Sequence, residues 1–494
     1  MHNPAGARMN SPRVIPIQPE PAQDDGPEMV SLYASQAKVY PRSVSGRFAR
    51  WRWVMVWLTQ LFFYGLPWLN WNGRQAVLFD LGERRFYILG LVMQPQDFIY
   101  LAALLVIAAL SLFFFTAVAG RLWCGYACPQ TVYTEIFLWI ERRVEGDRQA
   151  RMRLDAAPWS ARKLGRKALK QTLWLGVALF TGFSFVGYFT PIRELSRELA
   201  LGAFSPWEWF WVLFYGLATY GNAGYMREQI CKYMCPYARF QSALIDMDSL
   251  VIAYDTRRGE PRGSRPRKAD PASLGLGSCI DCTLCVQVCP TGIDIRQGLQ
   301  NECIACAACI DVCDDVMGKM GYPPGLIRYS SGHAMEQQLP HAALLRRVLR
   351  PRVLIYAGLL SLTCLGFALS LVQRHDFAVN VIKDRGTLAR QVGRGDIENV
   401  YRLQVINSTE QAHRFKVEVL GPPGLALASE PGLSVPATGI GTLALSLTLA
   451  GGEAESHRGQ VLPLQLRITR ERAPGDQGAG ESAITEKTTF VVPR

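Results

Sequence analysis

The chain has 494 residues, is 49% hydrophobic and carries a formal net charge of +12. It is too long for one domain and too apolar for an ordinary soluble enzyme. A basic excess points to nucleic acid or to a membrane surface. No nucleic-acid recognition motif accompanies it, so no nucleic-acid partner is expected and membrane lipid is.

Residues 1–50 form a polar, proline-bearing tail without an apolar h-region, so a cleaved signal peptide is not expected. Five stretches then have the length and apolarity to cross a bilayer, which takes about 20 mostly apolar residues. They are 54–71, 98–119, 172–192, 209–226 and 353–372, none holding Asp, Glu, Lys or Arg. One such charge at mid-helix would cost about 2.5–3.5 kcal/mol. The first and fourth carry Gln60, Pro67 and Asn222, which blur their ends. Trp51, Trp53, Trp68, Trp71, Trp207 and Trp209 gather at the edges as an interfacial belt. The apolar run 86–93 is too short to span and is expected at an interface.

Basic residues set the orientation. Segments 120–171 and 227–352 carry eleven and sixteen Lys and Arg, whereas 72–97 and 193–208 carry three and two. The positive-inside rule places the N-terminus, the 120–171 loop and the 227–352 segment in the cytoplasm. Five crossings then put residues 373–494 in the periplasm of a Gram-negative cell, making this a multi-pass inner-membrane protein. Residues 51–255 hold four transmembrane helices, 256–352 a linker (256–274) and a cysteine-rich insert, and 353–372 the fifth helix. A connector, 318–352, leads to that last crossing.

The insert reads Cys279-x-x-Cys282-x-x-Cys285-x-x-x-Cys289-Pro290, and after thirteen residues counted from Cys289, Cys303-x-x-Cys306-x-x-Cys309-x-x-x-Cys313. This is the bacterial ferredoxin spacing written twice. Three cysteines curl round three corners of a four-iron cluster, and the fourth comes from the other run. Two [4Fe-4S] clusters follow, one on Cys279, Cys282, Cys285 and Cys313, the other on Cys303, Cys306, Cys309 and Cys289. Paired zinc sites usually show two C-x-x-C pairs across a longer insert and fit the spacing less well. Such clusters move single electrons.

A second constellation lies at the expected cytoplasmic exits of spans two and four: Cys124-Gly125-Tyr126-Ala127-Cys128-Pro129 and Cys231-Lys232-Tyr233-Met234-Cys235-Pro236. An i, i+4 pair shares one helix face, and the proline marks a helix end or restart. If spans two and four are neighbours, four thiols converge. Thiolates suit Cu(I), zinc or iron–sulfur, or can cycle as dithiol and disulfide. Redox or copper handling is weighed against packing or a structural metal. Met226 and Met234 could add thioether ligands, although single methionines more often pack. Cys364, inside the last span, is expected to be a buried packing residue. The six histidines lie outside the spans, which disfavours a dihaem quinol oxidase. No fingerprint for a nicotinamide, flavin or ATP site is present. From residue 376 the pattern alternates, with Tyr401, Leu403 and Val405, then Phe415, Val417 and Val419, Leu443 to Leu449, and Leu462 to Ile468 on single faces. About seven strands of an immunoglobulin-like sandwich are expected there.

The run Trp123-Cys124-Gly125-Tyr126-Ala127-Cys128-Pro129-Gln130-Thr131, the Cys231–Cys235-Pro236 pair, the double ferredoxin run and Tyr401-Arg402-Leu403-Gln404-Val405-Ile406-Asn407 together resemble the CcoG/FixG/RdxA family of cytochrome c oxidase accessory proteins. The resemblance extends from about residue 35 to the end. It implies an inner-membrane cupric reductase in assembly of the cbb(3)-type oxidase, turning Cu(II) into Cu(I). It places the cluster ligands on the eight insert cysteines and copper contact on Cys124, Cys128, Cys231 and Cys235. It implies copper chaperones or oxidase assembly factors as partners, beside an electron donor the sequence does not name. Self-association as a homodimer is compatible with it. The one departure is the missing proline after Cys313. Two other functions compete: a quinol-linked membrane ferredoxin feeding a periplasmic reductase, and a scaffold with structural clusters. An ion pump is disfavoured, since no span holds a charge for a relay.

Overall fold

The computed structural model describes residues 38–337, 349–384, 389–393, 395–471 and 482–494. Most of the expected tail and residues 338–348 of the 318–352 connector lie outside them. Helices fill all five apolar stretches: α1 (Arg47–Gly65), α2 (Phe98–Ala119), α6 (Ala161–Val186), α8 (Pro206–Gly221) and α12 (Pro351–Val372). Three of these are long and apolar enough to cross a membrane by length and composition: α2 with its leading turn from Pro95, α6 and α12. The boundaries of the others differ from expectation. α1 starts at Arg47, inside the expected tail, and stops before Pro67. α8 stops at Gly221 and passes into a π-turn over Asn222–Met226.

Local chemistry sets the helix starts. Ser160 accepts from Lys163 N at the head of α6, and Ser205 with Glu208 forms a capping box before α8, whose first residue is Pro206. α6 and α8 cross closely because Gly182 meets α8 backbone: a β-carbon there would stand 2.3 Å from Val212 O. α12 lies along α2, with Tyr100 Oη donating to Ser370 O at 3.2 Å. That one-sided packing corrects the expectation for Cys364. Midway along α12, it is exposed on the outer helix surface rather than buried.

Between α2 and α6 run α3 (Leu122–Tyr126), α4 (Pro129–Glu145) and α5 (Arg148–Ala156); α7 (Ile192–Leu201) precedes α8 and α9 (Pro236–Leu244) follows it. The 86–93 run is extended rather than helical. It supplies two strands of a three-stranded antiparallel sheet, β1 (Val77–Asp80), β2 (Arg85–Ile88) and β3 (Leu91–Met93). Its aromatic and β-branched residues Phe86, Tyr87, Ile88 and Val92 favour strands, and Leu89, with φ of 53°, turns the chain between them.

The cysteine-rich insert is bracketed by β4 (Val251–Tyr254) pairing antiparallel with β5 (Ile327–Ser330), and contains α10 (Leu284–Gln287) and α11 (Ala308–Met320). The 256–274 linker folds against it rather than hanging free. Buried Arg265 donates to Gly277 O at 2.7 Å and to Tyr322 Oη at 3.1 Å.

The C-terminal part is a two-sheet sandwich of nine described strands: β6 (Phe377–Lys383), β7 (Arg390–Val392), β8 (Asp396–Asn407), β9 (His413–Leu420), β10 (Leu425–Leu427), β11 (Gly432–Val435), β12 (Ile440–Leu449), β13 (Val461–Arg470) and β14 (Ala483–Val491). One sheet runs β10-β12-β8-β6 with β7 beside β8; the other runs β11-β9-β13-β14. Tyr401, Leu403, Val405, Phe415, Val417, Leu445, Leu447, Leu464, Leu466 and Ile468 fill the core between them, as the period of two dictates. Glu410 of this domain pairs with Arg74, and Arg85 Nη1 donates to Thr438 Oγ1 at 3.1 Å, seating the sandwich on the β1–β3 side of the helices.

Candidate functional site

The two ferredoxin runs adopt one backbone shape twice. Asp281 and Thr283 in the first have φ of 53° and 55°; Ala305 and Ala307, at the same positions of the second, have 54° and 59°. Left-handed non-glycine residues cost energy and persist where surrounding structure holds them, often at ligand sites. Here they turn the chain so that its cysteines and amides face inward. The backbone N–H of Ala305 bonds the Cys303 sulfur, and that of Ala308 bonds Cys306.

Two neighbouring cavities result. Cys279, Cys282, Cys285 and Cys313 line one of about 380 Å³, walled by Leu284, Val312 and Met317. Cys289, Cys303, Cys306 and Cys309 line another of about 340 Å³, with Ile293 and Ile295; Cys285 touches both. Each group combines three cysteines of one run with one of the other. Cys313 lies inside α11, where a proline at 314 would lose a helical hydrogen bond. Asp314 there accepts instead from Gly325 N at 2.8 Å.

Burial pushes the Cys285 thiol up to about 11 and the Cys303 and Cys313 thiols up to about 12. A metal must therefore displace protons to bind. Among the described residues no three His, Cys, Asp or Glu groups converge tightly enough for a single metal ion. A zinc ion would draw its sulfurs to about 2.3 Å. Four inward thiols around a roomy apolar cavity, with amides aimed at sulfur, fit an iron–sulfur cluster.

The C-x-x-x-C-P pairs do not lie on continuous helices. Cys124 sits in short α3, whereas Cys128 is the extended N-cap residue of α4, with Pro129 as its first helical residue. Cys231 lies in a π-turn, and Cys235 caps α9 before Pro236. Each proline thus restarts a helix and bends its pair round a corner. The convergence also arises differently from expectation. α2 packs chiefly on α12 and α8 on α6, while α9 returns to α2. The four thiols still come within electrostatic reach of one another. Burial, then neighbouring Cys128, pushes Cys124 up to about 11; burial with Cys128 and Cys124 pushes Cys231 up to about 12. Burial also raises Cys128, opposed by backbone N–H bonds from Thr131 and Gln130 at the α4 N-terminus. Met234 is exposed.

Four residues with no ligand role tie the C-x-x-x-C-P loop and α1 to the cluster runs. Gly125 lies against the backbone of the second run; a β-carbon there would stand 2.7 Å from Ile304 O and 2.8 Å from Ala305 O. Arg121 donates to Ala238 O in α9 at 2.8 Å and to Asn301 O just before Cys303. Arg52 of α1 donates to Cys306 O at 2.7 Å. Asp311 of α11 accepts from Phe48 N at 3.1 Å and Ala49 N at 2.7 Å, capping α1 from 262 residues away. Gly125 and Asp311 occupy variable positions of the cysteine motifs and Arg52 and Arg121 lie outside them, so only their distant partners give them meaning. Behind the quartet, buried Glu141 of α4 pairs with Arg151 at 2.9 Å and Arg227 at 3.0 Å, joining the helix after Cys128 to the turn before Cys231.

Residues 226–332 match the family described as a 4Fe-4S dicluster domain, residues 101–146 a 4Fe-4S binding domain, and residues 367–493 the IG-like fold at the C-terminal of FixG. Protein RdxA of Cereibacter sphaeroides is 38% identical over 92% of this chain and 97% of its own. Nitrogen fixation protein FixG of Rhizobium meliloti is 38% identical over 80% of this chain and 82% of its own. Protein RdxB of Cereibacter sphaeroides is 42% identical over 81% of this chain and 85% of its own. The chain belongs to the FixG/RdxA family of iron–sulfur polyferredoxins.

Proposed function

We propose that this chain is a membrane oxidoreductase that reduces Cu(II) to Cu(I) at the Cys124, Cys128, Cys231 and Cys235 thiols. The eight insert cysteines hold its two clusters, in the crossed sets that line the two cavities. When bound, the clusters supply one electron at a time: one enters from a cytoplasmic donor and one leaves to Cu(II), which becomes Cu(I). The observation that carries this reading is the backbone contact of Gly125 on Ile304 and Ala305, which puts a C-x-x-x-C-P loop directly on the second cluster's run. Soft thiols favour Cu(I) over Cu(II), so the same site that receives the ion retains the reduced form.

Five helices crossing the bilayer, with the insert inside and the sandwich outside, accord with the basic loops. Cu(I) then passes to a copper chaperone or to an assembly factor of a cbb(3)-type oxidase. The test is Cu(II) reduction by the reduced protein in membranes. Cys124→Ala/Cys128→Ala and Cys231→Ala/Cys235→Ala variants should keep their clusters and lose most activity; wild-type rates in both would refute the thiol role.

A second reading has one observation in its favour. The match over residues 101–146 to a 4Fe-4S binding domain includes Cys124 and Cys128. Under it the quartet holds a third cluster and extends the relay. Iron analysis separates the two: about eight irons per chain for two four-iron clusters, about twelve for three.

A further inference from the structure

One open cavity is lined both by Cys231 and by Cys306 of the second cluster run. Its walls carry five guanidinium groups, Arg42, Arg52, Arg142, Arg151 and Arg227, against two carboxylates, Glu135 and Glu228. Arg151 and Arg227 share the single carboxylate of Glu141 behind the wall. Among the described residues, Arg42 and Arg142 pair with no carboxylate. Arg52 is only 7% exposed, and its Nε has no hydrogen-bond partner. Arg151 is 3% exposed, with its Nε likewise unpartnered.

Buried guanidinium donors without acceptors are costly, and planar carboxylates meet their geometry in bidentate fashion. The field inside such a cleft repels a bare dication and gathers anions. Yet the same lining offers the soft Cys231 thiol beside Ile304, Cys306 and Ala308 of the second cluster run. An occupant that satisfies all three features carries carboxylates outward and a thiophilic metal at its centre.

We propose that the cavity is the entry site for the metal substrate, and that it admits copper as an anionic carboxylate chelate rather than as the free ion. The inference rests on the copper-reduction reading and adds the form in which the metal arrives. Arginines hold the chelate's carboxylates while the metal faces Cys231. A cluster held by the insert cysteines would supply one electron to Cu(II), which would leave the chelate as Cu(I) and bind Cys231 as its thiolate, while the thiol proton would pass to a carboxylate of the departing chelator.

The test uses full-length cluster-loaded protein in nanodiscs of neutral lipid. Citrate alone is titrated calorimetrically into the oxidised protein. In parallel, protein with reduced clusters and no excess reductant receives Cu(II) as its anionic citrate complex or as its cationic ethylenediamine complex, and cluster absorbance is followed. Citrate should bind, and Arg42→Gln/Arg142→Gln should weaken it about tenfold with iron content unchanged. The citrate complex should oxidise the clusters about tenfold faster than the cationic one, with the gap narrowing in the variant. No citrate binding, equal rates for the two complexes, or displacement of citrate by added anionic phospholipid would each overturn the inference. If neither complex oxidises the clusters, the copper-reduction reading fails, and citrate binding alone still decides whether this is a carboxylate site.

Discussion

Gly125 sits so close to the second cysteine run that a β-carbon on it would stand 2.7 Å from the carbonyl oxygen of Ile304. Both obstacles, Ile304 O and Ala305 O, are backbone atoms of the turn holding Cys303 and Cys306, so they cannot swing aside. Gly125→Ala must push the two loops apart. Overpacking of this kind costs about 1–3 kcal/mol. Copper reduction should fall about tenfold or more, since small misplacements at reacting centres are expensive. Iron content should stay the same. A variant with full activity would show that this contact does not set the transfer distance.

Asp311 holds the first turn of α1 as a cap supplied from the cluster domain, with its carboxylate on Phe48 N and Ala49 N. Losing a cap costs about 0.5–2 kcal/mol. Asp311→Ala should lower the denaturant midpoint, followed through cluster absorbance, and Asp311→Asn should restore part of it. An unchanged midpoint in Asp311→Ala would mean that α1 is held by its packing alone.

Much of this arrangement was legible in the residues. The ferredoxin spacing marked the insert as a two-cluster domain, because a cluster's corners dictate how its ligands recur in the chain. Alternation of Leu443 to Leu449 and Leu462 to Ile468 announced the sandwich, since strands bury every second side chain. Other features were hidden by distance. Cys124 and Cys128 read as one helical face, yet Pro129 starts a new helix and turns the pair round a corner. Asp311 and Arg121 carry no local signal, because their partners lie 262 and 180 residues away in the chain. Cys364 looked like core because it is apolar and mid-span, but α12 packs along one side only.

Crossed ligation makes an epistasis prediction. Cys313 shares a cavity with Cys279, Cys282 and Cys285, not with its own run. Cys282→Ala with Cys313→Ala should therefore lose one cluster, as either single change does. Cys282→Ala with Cys289→Ala should lose both. Electron paramagnetic resonance of the reduced proteins counts the clusters; the reverse pattern would assign Cys289 and Cys313 to their own runs.

Burial raises the Cys303 and Cys313 thiols from an ordinary value of 9.0 to about 12. The cluster-free protein then gains stability from their protonated forms below pH 9.0. That contribution is lost as pH rises towards about 12, because the unfolded chain ionises first. Chelated, cluster-free protein should lose denaturant resistance between pH 8 and pH 10, roughly the onset of that window. Equal resistance at both values would show that these thiols are not shielded from water.

Electron counting in a single turnover tests the relay most directly. Anaerobic protein, its clusters reduced and all free reductant removed, is mixed with excess Cu(II) while cluster absorbance and Cu(I) are recorded together. The account predicts one Cu(I) for each electron lost by the clusters, at a rate that collapses in Cys124→Ala/Cys128→Ala with both clusters intact. Clusters that stay reduced beside Cu(II), or that are oxidised at the wild-type rate without these two thiols, would contradict it.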